Sequence, residues 1–339
     1  MAEDSPSPLA RGLELYKQGR LQEAEPLLLT ALSQQPDDAE ALIAVARLWL
    51  RRNEYEKAIP LAEKAVARAP ASAQAHLVLA QAYGQKAGQV AKMRAMLLAD
   101  DVKAHFEKAT ELDPNNVDAR EGLIEFHLAA PKIMGGDTRQ AKALANESMA
   151  LDPMRGLRAL ARVHSRLGED PEALAALDRL RAIDAGQGLL GRALHFLNKK
   201  DEAAAAAELV RVAQEDPRDA KDLSAAATML QQSSRWEDAL KLLDQARAAD
   251  PAYLPAVYQV GRARLLSGSD LAKAEAAFLQ YLSAETVPEG PPRFAALWRL
   301  GMVYENMGRA ADARARYEEA LRLDPTSEEA KKSLAALKR

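Results

Sequence analysis

Prolines recur along this chain at a spacing that few folds can produce. Pro36 and Pro70 stand 34 residues apart, and so do Pro217 and Pro251. Each closes a phrase of alanines and larger apolar residues, usually as Asp-Pro; Pro114, Pro153 and Pro325 close others. Proline cannot continue a helix, and it drives the residue before it out of helical geometry. A fixed period of this length marks an array of small repeated units. The stretch from Pro153 to Pro217 holds two slightly short units with Ala185 at the middle stop, and Pro251 to Pro325 holds two slightly long ones. The period therefore predicts about nine units in one array over residues 1–339, ending near Pro36, Pro70, Pro114, Pro153, Ala185, Pro217, Pro251, Pro291 and Pro325.

Composition agrees with helices packed closely against one another. Apolar residues make up 48% of the chain and aromatics only 5%, so alanine does much of the filling. Alanine is the best helix former and lets backbones approach. A net charge of -3 argues against broad nucleic-acid binding, which leaves a basic footprint. The absence of cysteine excludes disulfides, thiolate metal sites and cysteine nucleophiles. No apolar run is long enough to span a bilayer, and MAEDSPSPLARG has neither the basic nor the apolar part of a signal peptide. A mature exported form with an added Met1 would read the same way.

The clearest unit is ALWRLGMVYENMGRAADARARYEEALRLDP. In it Leu300, Gly301, Tyr304, Gly308, Ala313, Tyr317, Ala320 and Pro325 have the spacing of the tetratricopeptide repeat. The first unit (Gly12, Gly19, Ala24, Leu28, Ala31, Pro36), the second (Ala46, Trp49, Ala58, Ala65, Pro70) and the seventh (Trp236, Ala239, Leu243, Ala246, Pro251) resemble the same family. Units five and six match it more weakly. The resemblance implies an all-α fold, a right-handed α-solenoid of about nine helical hairpins. Small residues such as Gly301, Ala313 and Ala320 would lie where two helices touch, beside large ones such as Leu300, Tyr304 and Tyr317. One hairpin cannot bury its own apolar face, so stability must come from stacking. Residues 326–339 are expected to form a capping helix, with Thr326 and Glu329 as its capping box and Ala330, Leu334 and Leu337 as its apolar stripe.

Two units exceed the period, through insertions at 85–101 and 130–137. Met93, Met96, Leu97, Leu98, Val102, Phe106, Ala109 and Leu112 keep a helical rhythm, so the first insertion reads as a second helix lengthened back to about residue 91. The second contains GLIEFHLAAPKIMGGD. Its glycine pair lacks the preceding strand and the following lysine of a phosphate cradle, and fits the approach to a helix capped by Asp137. The Ile133–Met134 tip is expected to brace the overhanging turn bearing Met93 and Met96. Residues 106–153 also resemble a group of bacterial tetratricopeptide proteins of undefined role, often exported. That resemblance implies a bacterial source and favours the periplasm over the cytoplasm.

No catalytic constellation is visible. His76, His105, His127, His164 and His195 are scattered and show no paired ligand spacing, so packing is the expected role of each, and no metal or cofactor is implied. In the resembled family the first helices line a concave groove. The positions that match it here include Arg47, Gln81, Asp118, Glu121, Glu125, Arg155, Arg158, Arg162, Arg166, Arg262 and Arg299. Asp118, Glu121 and Glu125 form an acidic row on one helix face, beside a basic row of Arg155, Arg158, Arg162 and Arg166. The rows either pair with each other or orient a partner's charges. Arg166, Arg262 and Arg299 leave a positive surplus, which favours acidic partners. The family's carboxylate clamp for chaperone tails is absent, since Leu9, Leu13, Ala44, Gln74 and Val78 occupy its positions. The implied function is a non-enzymatic scaffold or adaptor holding a protein or peptide segment. An accessory module, or a small-molecule or lipid binder at the Met-rich overhang, is the alternative, and nucleic-acid binding the weakest one.

Overall fold

Most helices here start where a short polar side chain can hold the first free backbone N–H groups. Asp38 accepts from the amides of Glu40 and Ala41, Ser72 from Ala75, Asn116 from Ala119, and Asp152 from Arg155. Such caps satisfy donors that a helix leaves unpaired at its N-terminus. The computed structural model describes residues 6–284, 287 and 289–337. Among them are nineteen α-helices, one short 3-10 turn and no strand.

The helices fall into two compact units, Met1–Arg179 and Leu180–Arg339. The first contains α1 (Pro8–Lys17), α2 (Leu21–Gln34), α3 (Ala39–Arg51), α4 (Tyr55–Arg68), α5 (Ala73–Gln89), α6 (Lys92–Leu112), α7 (Val117–Ala129), α8 (Thr138–Leu151) and α9 (Pro153–Leu167). The division falls within α10 (Asp170–Ile183). The second contains α11 (Ala185–Asn198), α12 (Glu202–Glu215), α13 (Ala220–Gln232), α14 (Trp236–Ala249), α15 (Leu254–Ser267), α16 (Leu271–Ser283), α17 (Arg293–Asn306), α18 (Ala310–Leu323) and α19 (Glu328–Ala336). The order is nine helix pairs and a final single helix, a solenoid of hairpins as the repeat pattern implies.

Packing within a pair follows the small-against-large rule. A Cβ at Gly301 on α17 would overlap the ring of Tyr317 on α18, and that ring is wholly buried. Leu300, Val303 and Ala320 close around it. In unit 1 the same device joins successive pairs: a Cβ at Gly122 on α7 would run into Phe106 on α6.

Three details differ from the sequence expectation. The extra length of the third pair is shared, because α5 runs 17 residues and α6 runs 21, against 13 and 14 for α3 and α4. The rhythm in α6 does reach back to Lys92, but α5 also continues through Gly84 and Gly88. The brace is made by half of the expected tip: Met134 packs with Ala99, Val102, Phe106 and Phe126, whereas Ile133, Met93 and Met96 are exposed. The cap of α19 is Ser327, which accepts from the Ala330 amide, while the Thr326 hydroxyl turns back to Asp324. Ala330, Leu334 and Leu337 pack inward as expected, and Lys338 and Arg339 lie outside the described residues. Asp137 caps α8 by accepting from the Arg139 amide at 2.9 Å.

Candidate binding groove

The inner helices of unit 1 enclose a cavity of about 1210 Å³. Its apolar wall comes from Leu50, Leu77, Ala99, Val102, Phe106, Phe126 and Met134. Gln81, Gly84, Gln85 and Gly88 of α5 face it, and so do Lys92 and Ala95 at the start of α6. The extension of α5 and α6 therefore makes one side of the cavity. Met93 and Met96 do not line it; among the methionines, Met134 does.

Charge along the cavity is uneven. Asp118, Glu121 and Glu125 project from α7, and Arg155 and Arg162 reach them from α9. Arg155 bridges Asp118 at 2.6 Å and also Glu121, and Arg162 bridges Glu121 at 3.0 Å and Glu125 at 2.8 Å. Burial works against the Arg155 charge, but the bonds to Glu121 and Asp118 outweigh it and raise its pKa. The acidic and basic rows thus pair with each other. Half-exposed pairs of this kind contribute about 0–1 kcal/mol each, so their main effect is to fix the spacing of α7 and α9. Arg158 is half-buried and Arg166 exposed, and neither makes an ion pair among the described residues.

The other end of the cavity is cationic without compensation. Arg47 donates to the neutral Gln74 side chain, and Arg51 lies over the Tyr16 ring, 5.3 Å from its centroid. Neither they nor Lys92 make an ion pair among the described residues. Reading the sequence missed Arg51, Lys92, Tyr16 and Gln85, although Arg51 stands one helical turn from Arg47. In unit 2, Arg262 donates to Gln231 at 2.6 Å and Arg299 to the Tyr258 hydroxyl at 2.8 Å. Burial, and then the neighbouring Arg299 charge, lower the Arg262 pKa.

The histidines pack, with one correction. His127 and His164 are buried, bonded to the Gly135 carbonyl and the Glu169 carboxylate. His76 and His105, however, meet across α5 and α6 with their Nδ1 atoms 2.8 Å apart. Their ring centroids are 5.1 Å apart, so the two rings point at each other head-on and the nitrogens share a hydrogen. The 29-residue separation hid this pair from any search for short motifs.

Unit 2 has an acidic corner in which Asp184, Asp216 and Asp222 bring carboxylate oxygens within 4.8 Å of one another. Asp184 caps α11 through the Gln187 amide, and Asp222 accepts from the Gln187 side chain at 2.7 Å. Burial, then the charges of Asp219 and Asp184, push the Asp222 carboxyl up to about 6. Holding a proton there relieves the repulsion in the corner.

The chain has recognisable relatives. Family models of the tetratricopeptide repeat match residues 9–73 and 53–92, and again residues 294–327. Cellulose synthase operon protein C of Xanthomonas axonopodis pv. citri (strain 306) is 29% identical over 253 residues, covering 70% of this chain and 16% of that protein. The chain thus spans a small part of that relative's length. Among solved structures, the tetratricopeptide protein TTC0263 of Thermus thermophilus is 23% identical, with a TM-score of 0.47, over 60% of this chain and 97% of that one. Human IFIT1, solved as a dimer with m7Gppp-AAAA, is 14% identical, with a TM-score of 0.44, over 99% of this chain and 81% of that one. The chain thus carries tetratricopeptide repeats near both ends, on helices that are paired along its length.

Proposed function

We propose that the groove of unit 1 holds a segment of a protein partner, with acidic side chains of that segment against Arg47, Arg51 and Lys92. Tetratricopeptide repeat proteins generally mediate protein–protein interactions, and this chain acts by binding, as a scaffold or adaptor, without catalysis. The observation that supports the groove is the pair Gly84 and Gly88. Glycine inside a helix costs about 0.5–1 kcal/mol relative to alanine. At Gly122 or Gly301 a neighbouring ring explains that cost, but a Cβ at Gly84 or Gly88 would meet nothing within 4 Å. Both glycines face the cavity and leave its floor low enough for another chain to lie close.

The test is peptide binding followed by fluorescence anisotropy, using acidic and basic amphipathic peptides of equal length. Acidic peptides should bind more tightly, and the double variant Arg47→Glu/Arg51→Glu should remove that preference. Gly84→Leu/Gly88→Leu should abolish binding while leaving the protein folded and no less stable. Equal binding of both peptide classes, or undiminished binding with the groove floor filled, would overturn the assignment.

A further inference from the structure

The extension of α5 and α6 has a second face. Lys92, Ala95 and Ala99 point to the groove, and at the helical repeat Met93 and Leu97 fall on the opposite side of α6, with Met96 between the two faces. Met93 and Leu97 are 81% and 80% exposed, and Ile133 on the neighbouring 3-10 turn is 89% exposed. No other large apolar side chain among the described residues exceeds 54%. Single exposed leucines are ordinary on a protein surface, but three such side chains gathered on one extension mark a contact site.

The charges around them are of one sign. Residues 83–99 contain Lys86, Lys92 and Arg94 and no acid, and residues 126–136 contain Lys132 and no acid. None of these four cations makes an ion pair among the described residues. This concentration stands out in a chain whose net charge is -3. Asp100 and Asp101 follow on the next turn of α6 and end the cationic stretch. Apolar side chains ringed by unpaired cations match the chemistry of a bilayer surface with anionic headgroups. A protein surface would leave the same cations to be matched one by one.

We propose that the tip of the α5–α6 extension docks on an anionic lipid surface, with Met93, Leu97 and Ile133 entering the acyl boundary and Lys86, Arg94 and Lys132 contacting headgroups. The dimensions suit shallow entry. From Lys92 to Leu97 the helix rises roughly 8 Å at 1.5 Å per residue, close to the depth at which interfacial helices lie. The acids on the following turn set the limit of entry. No helix among the described residues is long and apolar enough to cross a membrane, so the contact is peripheral. The face is separate from the groove, which stays open to a protein partner.

The experiment is co-sedimentation of the full chain with sucrose-loaded vesicles, either phosphatidylcholine alone or phosphatidylcholine with an equal part of phosphatidylglycerol. The protein should sediment with the phosphatidylglycerol vesicles, stay in solution with phosphatidylcholine alone, and be released by high salt. Met93→Ser/Leu97→Ser/Ile133→Ser should weaken partition roughly tenfold or more, because the apolar transfer is lost. Lys86→Glu/Arg94→Glu/Lys132→Glu should weaken it to a similar degree while sparing Lys92 and the groove. All six side chains lie at the extension's surface, and circular dichroism checks that each variant is folded. No binding to either vesicle, or binding unchanged by the serine substitutions, overturns the proposal. So does a self-association by light scattering that the serine substitutions abolish, since the tip would then meet a second copy. Loss of vesicle binding with peptide binding intact separates this proposal from the groove assignment.

Discussion

The α17–α18 pair of unit 2 and the α5–α6 pair of unit 1 use the same chemistry to different ends. In α17–α18 both helices run 14 residues, and Tyr317 is seated on Gly301 with its hydroxyl donating to Glu305 at 2.7 Å. In α5–α6 the base packs similarly, with Phe106 over Gly122. Beyond the base, the two helices run on chiefly against each other, tied to the preceding pair by Gln85 and Gln89, which donate to the Leu50 carbonyl and the Asn53 side chain. The repeat therefore fixes the contacts at the base and leaves added length free. In this chain the free length has two faces, one closing a groove and one turned to solvent.

Substitutions of decreasing effect probe that contrast. Tyr317→Ala should cost about 3–5 kcal/mol by chemical denaturation, since it empties a closed site, whereas Leu97→Ala on the extension should stay within roughly 0.5 kcal/mol. Equal costs would mean that the extension packs as fully as α18 does. Met134→Asp should cost about 2–3 kcal/mol by placing a charge among Ala99, Val102 and Phe106. Ile133→Asp, one residue away and exposed, should leave the melting temperature unchanged.

A third comparison uses pH and concerns unit 2. The folded chain holds the Asp222 proton up to about pH 6, while the unfolded chain releases it near the ordinary value of 3.8. The contribution of this carboxyl to stability is therefore full below pH 3.8 and is lost as pH rises to about 6. Asp222→Asn should abolish that loss and raise stability at neutral pH by about 2 kcal/mol in thermal melts across pH. A smaller gain is expected at Gly84→Ala, which should stabilise by about 0.5–1 kcal/mol in the same melts. A destabilised Gly84→Ala would show that α5 needs the glycine for its own packing.

Much of the fold was readable because it rests on local rules. The proline period marks where helices stop, and the spacing of Gly301 and Tyr317 marks where two of them touch. Asp137 was recognisable as a cap from its position ahead of a helical run. Errors arose where neighbouring residues offered the same chemistry. Thr326 and Ser327 both carry hydroxyls, and the helix starts one residue later than the capping-box spacing suggests. The apolar rhythm runs from Met93 to Leu112, so the sequence points to a longer α6 and is silent on the added length of α5. The site was less legible than the fold. The two charged rows were visible as rows, but their mutual pairing depends on the approach of α9 to α7. Whether Arg51 and Lys92 face a cavity is a fact of three dimensions that no spacing encodes.

The histidine bridge has a consequence for how the extension responds to acid. His76 Nε2 faces the Pro70 carbonyl, 3.0 Å away, and must be the donor there. In the neutral pair His76 Nδ1 is then the acceptor, so His105 is the tautomer with hydrogen on Nδ1. One added proton can go to the remaining His105 Nε2 and leave the bridge intact, but a second, on His76 Nδ1, would set N–H against N–H. The bridge as drawn therefore accommodates one added proton and not two. Because the bridge joins the roots of α5 and α6, a proton on both facing nitrogens would push those roots apart.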